Sequence, residues 1–277
     1  MRSKTGTFVW SKSIFTQGIS LILMASLLSP AYGQEGTNAE ELAKKLSNPV
    51  ASLISVPLQS NFEFGIGSED AFRYVMNVQP VIPFSLNQDW NLISRTILPI
   101  IYQEEIFPGV GDEFGLGDTV QSLFLSPNKT DPFIWGAGPV FLIPTGTDAV
   151  LGGEQWGIGP TAVILKQQGP WTYGILANHI WSFAGDDDRA DINATFLQPF
   201  LSYTTKDAWT YAVNTESTYD WENEQWTVPL LAGVSKLVVF KKQPVSIGIN
   251  GRYFAEGPDS APDWSIRFIV TLLFPKS

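Results

Sequence analysis

The chain has 277 residues, no cysteine, one histidine, and 27 acidic against 17 basic residues, a formal net charge of −10. The missing cysteines exclude a disulfide scaffold, an iron–sulfur cluster, thiol catalysis and lipoprotein acylation. The acidic balance excludes a nucleic-acid partner, which would need a basic footprint.

Taken in chain order, residues 1–33 are predicted to be a signal peptide. Arg2, Lys4 and Lys12 make a positive n-region, Ile19 to Leu28 an apolar run, and Ala31-Tyr32-Gly33 a small-residue cleavage site. The apolar run is well short of the ~20 residues that span a bilayer as a helix. Residues 34–49 are predicted to be a periplasmic segment with a short amphipathic helix. Asn38-x-x-Glu41 resembles a capping box, Leu42 and Leu46 share a helical face, and Pro49 stops the helix.

Residues 50–277 read as the main domain. No stretch there is apolar over ~18 residues, so any membrane crossing is made by strands. Short polar turns recur at Asn87-Gln88-Asp89, Asn128 to Pro132, Lys166 to Pro170, Thr205 to Ala208 and Lys241 to Pro244, four of them followed by Trp90, Phe133, Trp171 and Trp209. Each turn separates two alternating apolar runs, giving hairpins of strands longer than the ~5–6 residues usual in soluble sheets. About twelve strands are predicted: 50–64, 72–86, 90–102, 115–126, 133–143, 155–166, 171–183, 191–204, 209–221, 226–240, 245–255 and 264–274. An even count returns both termini to one end, as in bacterial outer-membrane barrels with short periplasmic turns and longer outer loops. Lysines gather in the short turns (Lys129, Lys166, Lys206, Lys241, Lys242), and carboxylates such as Glu104, Glu105 and Asp186 to Asp188 in the other connections. Trp156, Trp181, Trp221, Trp226 and Trp264 stand near those connections and would form the outer aromatic girdle.

The last strand shows the alternation most clearly, with Trp264, Ile266, Phe268, Val270, Leu272 and Phe274 on one face and Ser265, Arg267, Ile269 and Thr271 on the other. Closing about twelve strands around a dry apolar core would leave a space too wide for side chains to fill, so the apolar face is assigned outward. The fold class is thus all-β, a transmembrane antiparallel up-and-down β-barrel of about 12 strands.

With the apolar face outward, Gln59, Asn61, Glu63, Arg73, Asn77, Gln79, Arg95, Asn214, Glu216, Asn250, Arg252 and Arg267 point into the lumen. The set Glu63, Arg73, Arg95, Glu216, Arg252 and Arg267 carries two alternatives. An arginine wall would favour anions, because rows of charge set pore selectivity. Pairing of Glu63 and Glu216 with the arginines would instead prop or close the lumen. His179 faces outward by parity, and a barrel-wall hydrolase would need it as base to Ser182. Asp186, Asp187, Asp188 and Asp191 lack EF-hand spacing and read as a solvated loop. Gly109-x-Gly111 and Gly115-x-Gly117 precede no helix and read as loop glycines. No catalytic, metal or cofactor site is assigned.

Asn48 to Pro57, Gln79 to Pro83, Gly169-Pro170-Trp171, Asn178 to Phe183, Gly185 to Arg189 and Asn193 to Pro199 resemble bacterial outer-membrane transporters grouped with the MetA-pathway of phenol degradation family, often mislabelled neuromedin U. The resemblance implies an outer-membrane barrel with a transport role and transfers no site residue.

The sequence is therefore read as an outer-membrane channel or transporter for small molecules, acting by passive passage and not as an enzyme. The alternatives are a lipid hydrolase using His179 and a non-conducting structural or adhesion barrel. Its expected partners are outer-membrane lipid and lipopolysaccharide, the outer-membrane assembly machinery, which reads a near-terminal aromatic such as Phe274, and a small-molecule solute.

Overall fold

The computed structural model describes residues 36–275, apart from 107, 108, 110, 130 and 131. The predicted signal peptide lies outside the described residues. Among the described residues one helix, α1 (Gly36–Leu46), precedes fifteen strands: β1 (Ile54–Ile66), β2 (Ala71–Val78), β3 (Val81–Ser85), β4 (Trp90–Gln103), β5 (Glu113–Leu116), β6 (Thr119–Pro127), β7 (Ile134–Ile143) and β8 (Gln155–Gln168). They continue with β9 (Trp171–Gly185), β10 (Asn193–Thr204), β11 (Trp209–Thr215), β12 (Ser217–Asp220), β13 (Gln225–Phe240), β14 (Gln243–Glu256) and β15 (Trp264–Phe274).

Neighbours pair antiparallel in chain order, and β15 returns to β1 in unbroken register from Ile54 opposite Phe274 to Phe64 opposite Trp264. Closure removes the sheet edges, so ladder groups need no water. Three predicted strands are broken: β2 from β3 at Gln79-Pro80, β5 from β6 at Gly117-Asp118, and β11 from β12 at Glu216. The fifteen strands thus form twelve staves. At the first break Pro80 has no N–H for the ladder and its carbonyl accepts from the Thr96 N–H instead.

The outer wall is apolar. Ile164, Ile175, Leu201, Val213, Leu230, Ile247 and Phe268 are each between 40% and 54% exposed. An apolar band running round the molecule is far larger than the patches water-soluble monomers show, and identifies the face that meets lipid. Aromatic rings collect at both rims. Near the short turns Trp90 meets Trp135 at 6.0 Å and Trp171 meets Tyr203 at 4.8 Å, and Lys236 extends over the Trp209 ring at 5.1 Å. At the other rim Trp264 stacks on Phe64 at 4.4 Å, and Tyr219 lies 4.8 Å from Trp221 and 4.9 Å from Trp226. Such belts hold the barrel at the two water interfaces.

The turn between β13 and β14 has only Lys241 and Lys242, with φ of 48° and 74°, a pair of left-handed residues that matches the twist of a tight hairpin. The opposite connections are not uniformly long. Those after β1 and β12 have room only for Gly67 to Asp70 and Trp221 to Glu224.

The N-terminal segment departs most from expectation. Helix α1 begins at Gly36, before the anticipated Asn38 cap, and Glu41 pairs with Lys45 at 2.7 Å. That hydrogen bond and the lysine charge hold the Glu41 carboxyl below its ordinary value. β1 starts at Ile54, not residue 50, because residues 50–53 run inside the barrel mouth. Leu42, Ala43, Ala51 and Leu53 pack with Ala208, Leu237 and Leu273 on one side of the mouth. Val50 enters a second cluster with Ile93, Phe124, Val163, Leu165 and Leu176, all on inward faces of opposite staves. Burying each of the Val, Leu, Ile and Phe side chains among them contributes about 1.5–3 kcal/mol. Polar ties add to it: Asn91 donates to Ser52 at 2.7 Å, and Gln167 donates to the Lys44 carbonyl at 2.9 Å.

Candidate functional site

Above this apolar plug the interior becomes polar, since inward positions of β1, β2, β11, β14 and β15 alternate with the lipid-facing residues. A layer of charge crosses the barrel there. Glu63 accepts from Arg73 at 2.7 Å and from Arg252 at 3.1 Å. Glu216 accepts from Arg252 at 2.7 Å and from both terminal nitrogens of Arg267 at 2.8 and 2.9 Å. Arg267 also donates to Asn61 at 2.5 Å. The side chains of Glu63, Arg252 and Arg267 are only 7%, 9% and 5% exposed, so the network is a septum and not a solvated rim.

Glu216 reaches this layer because it occupies the break between β11 and β12. Inward parity continues through the break, with Asn214 before it and Thr218 after it. The fork geometry of arginine suits the two Glu216 oxygens, and each bond is charge-assisted. Five of the six candidate residues are thereby joined. Arg95 is the sixth and stands apart: among the described residues no carboxylate lies within 4.0 Å of it. It lines a cavity of about 310 Å³ that the plug residues Ser47 to Asn48, Ala51 and Leu53 close on one side. Gln59, Gln79, Gln198, Asn214 and Asn250 also border this space.

A second cavity, about 360 Å³, lies against Glu63, Arg73, Glu216 and Arg252 and beneath Pro258, Ser260, Ala261 and Pro262 of the β14–β15 connection. The septum therefore separates a chamber on the short-turn side from one on the loop side. Three arginines against two glutamates leave this interior layer with a positive excess, to which Arg95 adds from below. Thr271, inward as its parity requires, is 5% exposed and borders the lower chamber beside the plug.

The hydrolase constellation is not assembled. His179 lies on the outward parity of β9 and bonds Thr195 at 2.7 Å, with the Trp221 indole donating to the same hydroxyl at 2.8 Å. Ser182 has the opposite parity and donates to Asp191 at 3.0 Å. The acidic loop spends its polar groups on its own fold: Asp186 accepts from the Asp188 N–H, and Arg189 pairs with Glu154 at 3.3 Å and donates to the Ala149 carbonyl. Among the described residues no group of three potential metal ligands converges. No helix there is long and apolar enough to cross a membrane.

The plug and the isolation of Arg95 were not anticipated. A signal for the first exists in Val50-Ala51-Ser52-Leu53, an apolar run that does not share the alternation beginning at Ile54.

No family model matches the chain, and no curated protein matches it in sequence. Among solved structures the fold is similar to an outer-membrane channel from Pseudomonas putida F1, at TM-score 0.65 and 16% identity over 80% of this chain and 96% of that one. The NanC porin aligns at TM-score 0.49 and 10% identity, covering 80% and 100%, and outer-membrane phospholipase A from Escherichia coli at 0.43 and 11%, covering 80% and 92%. The last two are too distant to carry an argument. With the apolar belt and paired aromatic rims, the first shows that the chain has the fold of a twelve-stave outer-membrane barrel.

Proposed function

We propose that the protein is a bacterial outer-membrane channel that passes small solutes passively and prefers anions. The observation that carries this reading is the charge layer across the lumen, with three arginines on two glutamates and a fourth, Arg95, left facing a cavity. A barrel serving only as an anchor has no need of a polar, positively biased interior, whereas fixed positive charge along a passage raises the local concentration of anions. The plug and septum make this a closed state, and passage requires the segment at Val50 to Leu53 to shift and the side chains of the charge layer to part. Short turns rich in lysine face the periplasm and acidic loops the exterior in this reading. The likeness of Asn178 to Phe183 and Asn193 to Pro199 to the MetA-pathway group supports the same function and names no solute. His179 on the lipid face, with no serine beside it, supports a non-enzymatic role.

Proteoliposome swelling tests the proposal. Vesicles carrying the full protein should swell faster in small monocarboxylate salts than in neutral sugars of similar size. Swelling indistinguishable from protein-free vesicles in every solute would contradict it.

A further inference from the structure

The lower chamber has the make-up of a binding site. It is closed from one mouth by the plug, and of the two cations that border it Lys45 is paired with Glu41 at 2.7 Å, whereas Arg95 has no carboxylate within 4.0 Å among the described residues. A half-buried guanidinium with no carboxylate in contact is incompletely compensated, so an anion there relieves a standing penalty. Hydrogen-bond groups are available around it. Gln59 and Gln79 bond each other at 3.3 and 3.5 Å, which leaves each amide a second N–H. The Asn214 side-chain oxygen is buried without a partner beside the same space. Turned about its last torsion, that amide presents an N–H instead, and either orientation offers one polar group to a ligand. The lining is mixed: Ser55, Gln198, Asn250 and Thr271 add polar groups, and Leu53, Val81 and Ile269 supply an apolar wall. At about 310 Å³ the space holds on the order of ten waters, enough for a ligand of six to eight heavy atoms.

We infer that this chamber binds a small carboxylate with a short apolar body, the carboxylate on Arg95 and the body against Leu53, Val81 and Ile269. The inference deepens the channel reading and rests on it, since an anion held between plug and septum is a solute in transit. An inorganic anion satisfies the charge and leaves the apolar wall unused. A neutral amide of the same shape uses the wall and leaves the charge unmet.

The test uses the full protein folded in detergent, with butyrate, acetate and butyramide as probes, by calorimetric titration and by the rise in melting temperature. Butyrate should bind at least about tenfold more tightly than butyramide or acetate. Arg95→Gln should weaken butyrate by about tenfold or more, whereas Arg73→Gln, in the septum and bordering only the other chamber, should change it less than about twofold. Arg95→Lys should retain part of the affinity. Equal affinity for butyrate and butyramide in the unaltered protein would overturn the inference, as would equal loss in Arg73→Gln and Arg95→Gln. Should Arg95→Gln fail to fold, the butyrate and butyramide comparison decides alone. Swelling without butyrate binding would sink this site and leave the channel standing. Butyrate binding without swelling in any solute would keep the site and remove the passage.

Discussion

Glu216→Gln removes the carboxylate on which two arginines converge, and its cost follows from what is left behind. Arg252 keeps Glu63 at 3.1 Å, but Arg267, 5% exposed, retains only the Asn61 oxygen. Removing one partner of a buried pair costs about 3–5 kcal/mol because the other charge stays buried. Glu216 is 21% exposed and glutamine keeps one acceptor, so the expected loss falls at or just below the bottom of that range, about 2–3 kcal/mol. Glu63→Gln should cost less, about 1–2 kcal/mol, because Arg73 is 28% exposed and can hydrate while Arg252 keeps Glu216. Reversible urea unfolding in lipid vesicles measures both. A double-mutant cycle of Glu216→Gln with Arg267→Gln should return a coupling above about 1 kcal/mol. Equal losses from the two glutamate variants, or additivity in the cycle, would refute the septum as an energetic unit.

Other consequences follow from the same geometry. Val50→Asp places a carboxylate among Ile93, Phe124 and Leu165, and should release the plug and raise single-channel conductance; unchanged conductance would mean that this segment does not obstruct the mouth. Phe268→Arg, on the lipid face at 49% exposure, should destabilise the barrel by about 2–4 kcal/mol in vesicle unfolding, and a loss near zero would reverse inside and outside. Lys242→Gly, at φ 74°, should stabilise the β13–β14 hairpin by up to about 1 kcal/mol, read as a higher urea midpoint. Glu41→Gln should lower stability by no more than about 0.5 kcal/mol, since its pair with Lys45 is exposed. The Glu41 carboxyl is depressed in the folded state, so its small contribution is present above the ordinary glutamate range and lost as pH falls through the folded value.

The wall was legible because the information in it is local. Alternation along β15 separates Phe268 from Arg267 without knowledge of any other strand, and the polar turns at Thr205 to Ala208 and Lys241-Lys242 mark where staves reverse. What crosses the lumen was not legible. Parity says that Arg73, Arg95, Arg252 and Arg267 point inward, but it does not say how far each side chain reaches or which carboxylate it meets. Glu216 serves two of them because the break at β11 and β12 sets it where both forks arrive, and Arg95 serves none because it sits lower on its stave, opposite Val81 and Ser122. The plug was missed for a related reason. Val50 to Leu53 is apolar enough to extend a strand by pattern, and only the inward faces of distant staves, Ile93 to Leu176, give those side chains a place to go.

The most direct measurement is the reversal potential of the unaltered protein in a planar bilayer under a potassium chloride gradient. The account predicts a current that prefers chloride, with a preference that fades as salt rises and the screening length falls below ~8 Å. A cation-selective current, or no current with the plug released by Val50→Asp, would contradict it.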